Sequence, residues 1–226
     1  MSSTDLNWRH PAEIPEIITT AGALVAFVGE DYRCRSISES LAAVIGKTPD
    51  QVIGSSPIDN VPEPMAAERE RLFRQVLSTG KSVQFIEAVG GARYRTTFSP
   101  ATMHGGQERG VVIILTPLYL LPRGTAETLP FAEHNHHDPL ESLTRAETEL
   151  LTLIGSGMST QDIARKLHRS VKTIESHRAS LGRKLNITNR VELAIIAVRA
   201  GLVSLVPTAH RNGVAAAPKA GAAAKD

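Results

Sequence analysis

The chain has 226 residues, of which 42% are hydrophobic and 21% charged, as is typical of a globular protein. No apolar run approaches the roughly 18 residues of a membrane span, and the N-terminal residues do not resemble a secretory signal. The single cysteine, Cys34, excludes an internal disulfide and a cysteine-built zinc site. We therefore expect a cytoplasmic protein without a membrane partner, long enough for two small domains.

Residues 12–118 carry five short segments rich in Val, Ile, Phe and Thr and bounded by Gly, Pro or acidic residues, a pattern that predicts β-strands. In chain order these segments are ALVAFVGE, YRCRSIS, KSVQFIEAV, ARYRTTFSP and RGVVIILTP. Two helical stretches, SESLAAVIG and PMAAERERLFRQVLSTG, lie between the second and third predicted strands. The predicted order is therefore two strands, helices and three strands.

This order and one local motif resemble a PAS domain. The segment that begins at SESLAAVIG matches the usual SxSLAxxIGxxPxxxxG stretch at Ala42, Val44, Ile45, Gly46, Pro49 and Gly54. The TGKS that precedes the third predicted strand also fits the pattern. The resemblance implies a five-stranded antiparallel sheet with helices across one face, in a domain that serves sensing or dimerisation.

The residues argue against the two cofactors that such a domain could hold. The flavin-binding branch needs a reactive cysteine after Gly54, but GSSPIDN has none and Cys34 lies in the second predicted strand. Haem needs an axial ligand, and no histidine occurs between His10 and His104. We therefore predict no cofactor. A small apolar ligand, dimerisation without a ligand, and a role for Cys34 stay open.

Residues 119–139 lack hydrophobic periodicity and contain three prolines, which predicts an interdomain linker. Imidazole and carboxylate groups in this linker have the chemistry of divalent-metal ligands. These groups belong to His134, His136, His137 and Asp138. No predicted helix fixes their geometry, and a solvated histidine-rich linker is the competing interpretation. We therefore predict no metal site.

Residues 140–206 differ in charge from the N-terminal domain. They contain ten Lys or Arg and six Asp or Glu, a net charge of +4, whereas residues 1–118 carry a net charge of −2. A polyanionic partner, if there is one, therefore belongs to residues 140–206. The Ala-rich residues 207–226 contain too few large apolar side chains to pack, which predicts a disordered tail.

Four helices are predicted in residues 140–206 because a capping residue precedes each apolar stripe. The predicted N-caps are Thr144, Ser159, Ser170 and Asn189. The predicted ends are Gly155, His168, Leu185 and Gly201. Glu147 completes a capping box with Thr144, and Asn186 suits a left-handed C-terminal residue. Two helices joined by a few residues, the second of them long and basic, form a helix-turn-helix pattern.

The third of these helices has two chemically different faces. Its predicted core side consists of Ile174, His177, Leu181 and Leu185. Its other side consists of Lys172, Glu175, Ser176, Ala179 and Arg183, with Arg178 at the edge. Such a helix fits the major groove of DNA, where small side chains permit close approach and Glu175 can accept a hydrogen bond from cytosine. The alternative interpretation is an ordinary solvated helix face.

Several polar and basic residues on this helix and at the start of the preceding helix are predicted to contact DNA phosphates. They are Thr160, Gln161, Lys172, Thr173, Arg178 and Arg183.

The whole segment resembles the LuxR-type (GerE-like) helix-turn-helix domain. The matching positions are Leu143, Thr144, Glu147, Glu149, Gly157, Ser159, Ile163, Ala164, Leu167, Ser170, Thr173, Ile174, His177, Lys184, Leu185, Arg190, Gly201 and Leu202. Asn186 and Arg169 depart from the Gly and the apolar residue that are common in the family. The resemblance implies that the third helix enters the major groove and that the fourth dimerises the domain. The candidate dimer contacts are Val191, Leu193, Ile195 and Ile196.

The sequence therefore predicts a two-domain α+β protein that regulates transcription, binds double-stranded DNA as a homodimer, acts with RNA polymerase as a further partner, and has no catalytic residues. A sigma-factor-like RNA polymerase subunit is the alternative, but it would need a helical region upstream, where strands are predicted. An enzyme that uses the histidine cluster lacks a nucleophile and a pocket. A phosphorylatable receiver domain is not expected, because no lysine lies between Lys81 and Lys166.

Overall fold

The computed structural model describes residues 23–59, 61–103, 108–122, 124, 127–135, 138 and 140–206. The predicted tail 207–226, residues 12–22 of the predicted N-terminal domain, and His136 and His137 lie outside the described residues. The described residues form a five-stranded sheet with helices, followed by four C-terminal helices. The predicted α+β fold class is therefore confirmed. No helix in the described part of the chain is long and apolar enough to cross a lipid bilayer.

The N-terminal domain is built on one antiparallel sheet. Its strands are β1 (Leu24–Gly29), β2 (Cys34–Ile37), β3 (Val83–Val89), β4 (Ala92–Met103) and β5 (Glu108–Pro117). Their order across the sheet is β2-β1-β5-β4-β3. The first strand of the chain thus lies inside the sheet, paired with β2 on one side and β5 on the other. All six residues of β1 are buried.

Helices pack across one part of this sheet. They are α1 (Glu39–Val44), α2 (Pro49–Val52) and α3 (Glu63–Thr79). Phe73 and Val76 of α3 pack in a buried cluster with Val28, Phe85 and Phe98 of the strands. Neither α2 nor the 3-10 helix Leu118–Leu120 was predicted, because elements of four and three residues are too short to show a helical period.

The segment between the domains covers an edge of the sheet. The backbone N–H of Ile86 in the edge strand β3 donates to the Pro130 carbonyl at 2.8 Å, and the Ala132 N–H donates to the Ile86 carbonyl at 2.8 Å. The buried Glu68 carboxylate accepts hydrogen bonds from two further linker amides, at 2.8 and 3.0 Å. Because unpaired edge-strand groups are a template for unwanted pairing, this part of the linker protects the sheet.

The C-terminal domain consists of α4 (Arg145–Gly155), α5 (Thr160–Lys166), α6 (Val171–Leu185) and α7 (Arg190–Arg199). The side chains of all four predicted N-cap residues accept a backbone hydrogen bond at the start of their helices. Asn186 ends α6 in the left-handed conformation, with φ of 55°. A side chain on Gly155 would collide with Ala197, so this glycine permits the close packing of α4 on α7.

The prediction of which α6 residues face the core is partly wrong. Ile174 and Leu181 are buried, at 2% and 0% exposure, and Leu185 is half-buried against the same cluster. His177 is exposed. At 100° per residue, Leu181 and Leu185 lie about 20° to either side of Ile174, whereas His177 lies about 60° away. The neighbouring helices therefore cover only a narrow stripe of α6.

The C-terminal domain contacts the N-terminal domain through the end of α7 and the residues that follow it. The Arg199 guanidinium donates to the Gly90 carbonyl at 2.7 Å, and the Ser204 hydroxyl donates to the Leu121 carbonyl at 2.7 Å. Gly201 has a φ of 71° and lies so close to Leu118 that a Cβ on this residue would be 2.5 Å from the leucine Cβ. Only glycine fits this conformation and this gap.

Candidate nucleic-acid interface and ligand cavity

Helices α5 and α6 are joined by a tight turn whose geometry is set by local residues. Ser159 accepts the Asp162 N–H at 3.1 Å at the start of α5, and Ser170 accepts the Thr173 N–H at 3.1 Å at the start of α6. Between them, His168 adopts a positive φ of 52°. These caps fix where each helix begins, so the positions facing outward on α6 are fixed as well.

The predicted base-reading residues lie on one exposed face of α6. Four turns of this helix place them within an arc of about 100° around its axis. The exposed members of the predicted DNA-contacting set are Gln161, Lys172, Glu175, Ser176, Ala179 and Arg183. The half-buried members are Thr160, Thr173 and Arg178. The fold thus leaves the outward face of α6 open to solvent.

The basic residues of the C-terminal domain divide into two groups. Lys184 donates to the Glu147 carboxylate at 2.7 Å and to the Ser142 carbonyl at 3.2 Å, while Arg165 and Arg190 also bind oxygen atoms within the domain. Within the described residues, three other cations of α6 have neither an ion pair nor a hydrogen bond from their side chains. These are Lys172, Arg178 and Arg183. Their charge is available to a phosphate backbone.

Glu147 is the buried anchor of this domain, at 7% exposure. It forms the predicted capping box with Thr144 and reaches across to Lys184 of α6. The hydrogen bond from Lys184 is the main reason that the pKa of Glu147 is lowered to about 2. Glu147 therefore remains ionised under ordinary conditions and ties the first helix of the domain to α6.

An open hollow of about 620 Å³ lies beside the start of α6. Its lining contains three basic or titratable side chains that the sequence-based prediction left out. They are Arg165, His168 and Arg169. The run RKLHRS gave a charge signal for them, but their convergence with Gln161 depends on the sharp turn between the two helices.

The four candidate dimerisation residues of α7 do not share one face. Val191 and Ile195 are exposed, at 65% and 50%. Leu193 is 1% exposed and lies in the core of its own domain, so it is not available to a second copy. Ile196 is half-buried against the same core. Val191, Leu193 and Ile195 are two residues apart in sequence, and each such step turns by about 200° around the helix. Successive members of the predicted set therefore lie on opposite sides of α7.

A cavity of about 450 Å³ lies in the N-terminal domain between the helices and the sheet. Its walls are mainly apolar and include Phe73 and Phe98. Cys34 also lines it, is 2% exposed, and has its pKa raised to about 11 by burial. Because a thiolate is the reactive form, Cys34 is an unreactive thiol at neutral pH.

One side of this cavity carries a buried charge network. Arg69 lines the cavity, and its Nη2 donates to the Glu87 carboxylate at 2.8 Å. The other oxygen of Glu87 accepts a hydrogen bond from Thr96. Arg69 Nη1 lies 3.3 Å from Glu68 but is buried without a hydrogen-bonded acceptor within the described residues. The guanidinium also stacks on Phe85, 4.8 Å from the ring centroid.

Arg69 was not recognised as a site residue from the sequence, because the surrounding ERERLFRQ reads as a solvated charge run on a helix. Only the packing of α3 on the sheet turns this arginine inward. His134 lies 3.6 Å from Glu68, in an ion-pair geometry and not in a metal cluster. Among the residues that the structure describes, no group of three His, Cys, Asp or Glu side chains is placed to hold a metal.

Comparison with known families matches each domain separately. Residues 141–197 match the luxR family of bacterial regulatory proteins. Residues 19–118 match the PAS fold.

Curated relatives match about a third of the chain. The oxygen regulatory protein NreC of Staphylococcus haemolyticus is 37% identical over 79 residues, which cover 32% of this chain and 36% of NreC. The response regulator GacA of Pseudomonas aeruginosa is 38% identical over 73 residues, 32% of this chain and 34% of GacA. The chain thus spans about a third of the length of these relatives.

Some solved structures align with most of the chain at low similarity. VqmA of Vibrio cholerae, in complex with ligand and DNA, aligns with 88% of this chain and 93% of its own at 21% identity and a TM-score of 0.44. VqmA bound to DPO aligns with 85% of this chain and 88% of its own at 21% identity and a TM-score of 0.39. By the family matches, residues 19–118 form a PAS-fold domain and residues 141–197 form a luxR-family helix-turn-helix domain.

Proposed function

We propose that this protein is a sequence-specific DNA-binding transcriptional regulator in which α6 reads the major groove. The observation that carries the proposal is the exposed face of α6. On this face the small side chains of Ser176 and Ala179 lie between the unpaired cations Lys172 and Arg183. Small residues allow the helix backbone to approach base edges, while the flanking cations neutralise phosphates on either side.

Glu175 is the proposed base-reading residue. It is exposed on the same face, and it belongs to no ion pair or hydrogen bond within the described residues. A free carboxylate in the major groove selects cytosine, because it accepts a hydrogen bond from the cytosine amino group and repels the acceptors of other bases. Thr160 and Gln161 at the start of α5, with Thr173 and Arg178 on α6, would hold the phosphate backbone.

Dimerisation through α7 completes the DNA-binding unit in this proposal. Of the four predicted dimer contacts, only the exposed apolar side chains of Val191 and Ile195 are available to a second copy. A two-fold pair of domains would place two copies of α6 on successive half-sites, so the preferred DNA would be palindromic. RNA polymerase is the further partner through which a bound regulator would act.

The PAS-fold domain is proposed to modulate DNA binding through a ligand or a protein partner. Support comes from Gly90, which lines the cavity and also accepts the hydrogen bond from Arg199 of α7. An occupant that shifts the turn containing Gly90 would act directly on the helix proposed to dimerise. Such coupling requires that the ligand bind with different affinity to the shifted and the unshifted arrangement of this turn.

Selection of bound duplexes from a random DNA pool tests the reading role of α6. The full-length chain is compared with Glu175→Gln and with Glu192→Gln, which changes an exposed carboxylate of α7. We expect wild type and E192Q to enrich the same palindromic motif. The E175Q variant should change preference at one base position per half-site by about 1–3 kcal/mol.

An unchanged motif for E175Q would show that Glu175 does not read bases. Failure of the wild-type chain to enrich any sequence would overturn the proposed function. The alternative of a sigma-factor-like subunit requires helices where the structure has a five-stranded sheet, so no structural observation favours it.

A further inference from the structure

We propose that the tip of the β3–β4 hairpin is a clamp that holds the C-terminal domain against the sheet and withholds the end of α7 from a second copy of this chain. The clamp consists of the Gly90 carbonyl in the turn and the Arg93 guanidinium at the start of β4. The inference rests on the proposed dimerisation through α7 and adds an autoinhibitory contact to it.

The first contact of the clamp lies at the beginning of the C-terminal domain. Nε and Nη2 of Arg93 donate to the Asp138 carboxylate at 3.1 and 2.6 Å, and the two side chains are only 17% and 15% exposed. The same carboxylate accepts the Leu140 N–H at 3.0 Å. Because Leu140 is buried in the C-terminal core, Asp138 connects β4 directly to that core.

The second contact lies at the other end of the domain. Arg199, the last residue of α7, donates to the Gly90 carbonyl at 2.7 Å. Gly90 has a φ of 56°, and a Cβ on it would lie 2.8 Å from the Val44 carbonyl oxygen at the end of α1. The turn is therefore seated against α1. One hairpin tip thus binds residues near both ends of the C-terminal domain.

With the clamp closed, α7 offers little surface to a second copy. Its exposed large apolar side chains are Val191 and Ile195, at 65% and 50%. Two aliphatic side chains cover far less than the roughly 800 Å² per partner that a stable interface buries. The residues after α7 add nothing in this arrangement, because Gly201 is packed against Leu118 of the N-terminal domain.

The position of Arg199 places the hairpin tip beside the proposed dimer face. Arg199 follows Ile195 by one helical turn, about 6 Å along α7 and about 40° around its axis. The axis of a second helix packed on Ile195 would lie about 8–10 Å from that of α7. Such a helix would meet the hairpin tip bound to Arg199. Opening the clamp therefore frees the C-terminal half of α7 for pairing.

Cross-linking between copies of the full-length chain tests the clamp without DNA. Glu192→Cys places a thiol on exposed α7, while the native Cys34 is buried. A bis-maleimide with a spacer of about 10 Å, the separation of packed helices, joins two chains whose α7 helices lie side by side. We expect slow cross-linking of E192C, and a rate at least about fivefold higher when Arg93→Met or Asp138→Asn is added.

Three further variants assign this gain to the clamp and to α7. Ile195→Glu added to R93M should abolish the gain, because it removes the apolar contact between helices. Glu133→Gln breaks an exposed ion pair of the same linker with Arg71 and should keep the background rate. D138N retains an acceptor for the Leu140 N–H, so it replaces R93M if that variant does not fold. Amide hydrogen exchange verifies that both domains are folded.

The inference is overturned if the folded clamp variants cross-link at the rate of E192C, or if E192C already reacts as fast as they do. It is also overturned if I195E leaves the gain intact. A DNA motif found by selection, together with no gain in R93M and D138N, would remove the clamp alone. A gain that I195E abolishes, without any DNA motif, would remove the proposed DNA-binding function and leave the clamp.

Discussion

The two domains of this protein place their charges in opposite ways. In the PAS-fold domain, Arg69 and its two carboxylates are drawn into the interior beside a cavity. In the helix-turn-helix domain, Lys172 and Arg183 stay unpaired on an exposed helix face. Buried, paired charges are held in a fixed geometry, whereas exposed unpaired cations suit a long polyanion.

The domains also differ in how far apart in sequence their contacting residues lie. Each C-terminal helix is started by a cap within its own first turn. The N-terminal sheet instead pairs β1 with β5, so Leu24 lies opposite Leu115. We therefore expect the two domains to respond separately to core substitutions.

The largest expected effect is that of Leu181→Ala. Leu181 is 0% exposed in the C-terminal core, and its truncation should destabilise that domain by about 3 kcal/mol. Amide hydrogen exchange should show faster opening of α4–α7 with unchanged protection of the β-strands. Equal loss of protection in both domains would mean that they unfold as one unit, and the comparison would fail.

The next effect is the pH dependence that Glu147 gives to the C-terminal domain. Its pKa is about 2 in the folded state and 4.5 in an unperturbed carboxyl, so its contribution is complete above pH 4.5 and is lost as pH falls towards 2. Glu147→Gln should cost about 2 kcal/mol at neutral pH and flatten this acid dependence. Denaturant titrations from neutral to acidic pH, with Glu149→Gln as the exposed control, measure it.

A smaller effect is expected at the contact between the domains. Arg199→Ala removes the hydrogen bond to the Gly90 carbonyl, which contributes about 1 kcal/mol. In R199A the free energy of unfolding of each domain should be unchanged, while small-angle scattering should detect a wider range of domain arrangements. Arg145→Ala, an exposed arginine at the start of α4, is the matched control. Identical scattering from R199A and wild type would show that this bond does not hold the domains together.

The smallest effect concerns one phosphate contact. Lys172→Ala should weaken binding to every DNA sequence and lower the slope of log affinity against log salt by about 0.9 per chain. Arg109→Ala changes an exposed arginine of the PAS-fold domain and should leave the slope unchanged. Fluorescence anisotropy at several salt concentrations provides the measurement. A slope that K172A leaves at the wild-type value would place Lys172 away from the phosphates.

Sequence-based prediction was more complete for the C-terminal helices than for the N-terminal sheet. All four C-terminal helices and their caps were predicted correctly, because capping depends on residues three positions apart. The five strands were also predicted, but their order in the sheet was not, because pairing over long distances leaves no local pattern. The short helix α2 and the pairing of Ile86 with the linker were likewise missed.

Sequence alone determined the class of each domain, the start of each C-terminal helix and most of the residues on the open face of α6, since these depend on local spacing and composition. Tertiary structure alone decided which residues of similar chemistry face inward. Leu193 entered the core while Val191 and Ile195 stayed exposed, and Arg69 turned to the cavity while Arg71 stayed in solvent. Burial depends on what packs against a residue, and those partners lie far away in the sequence.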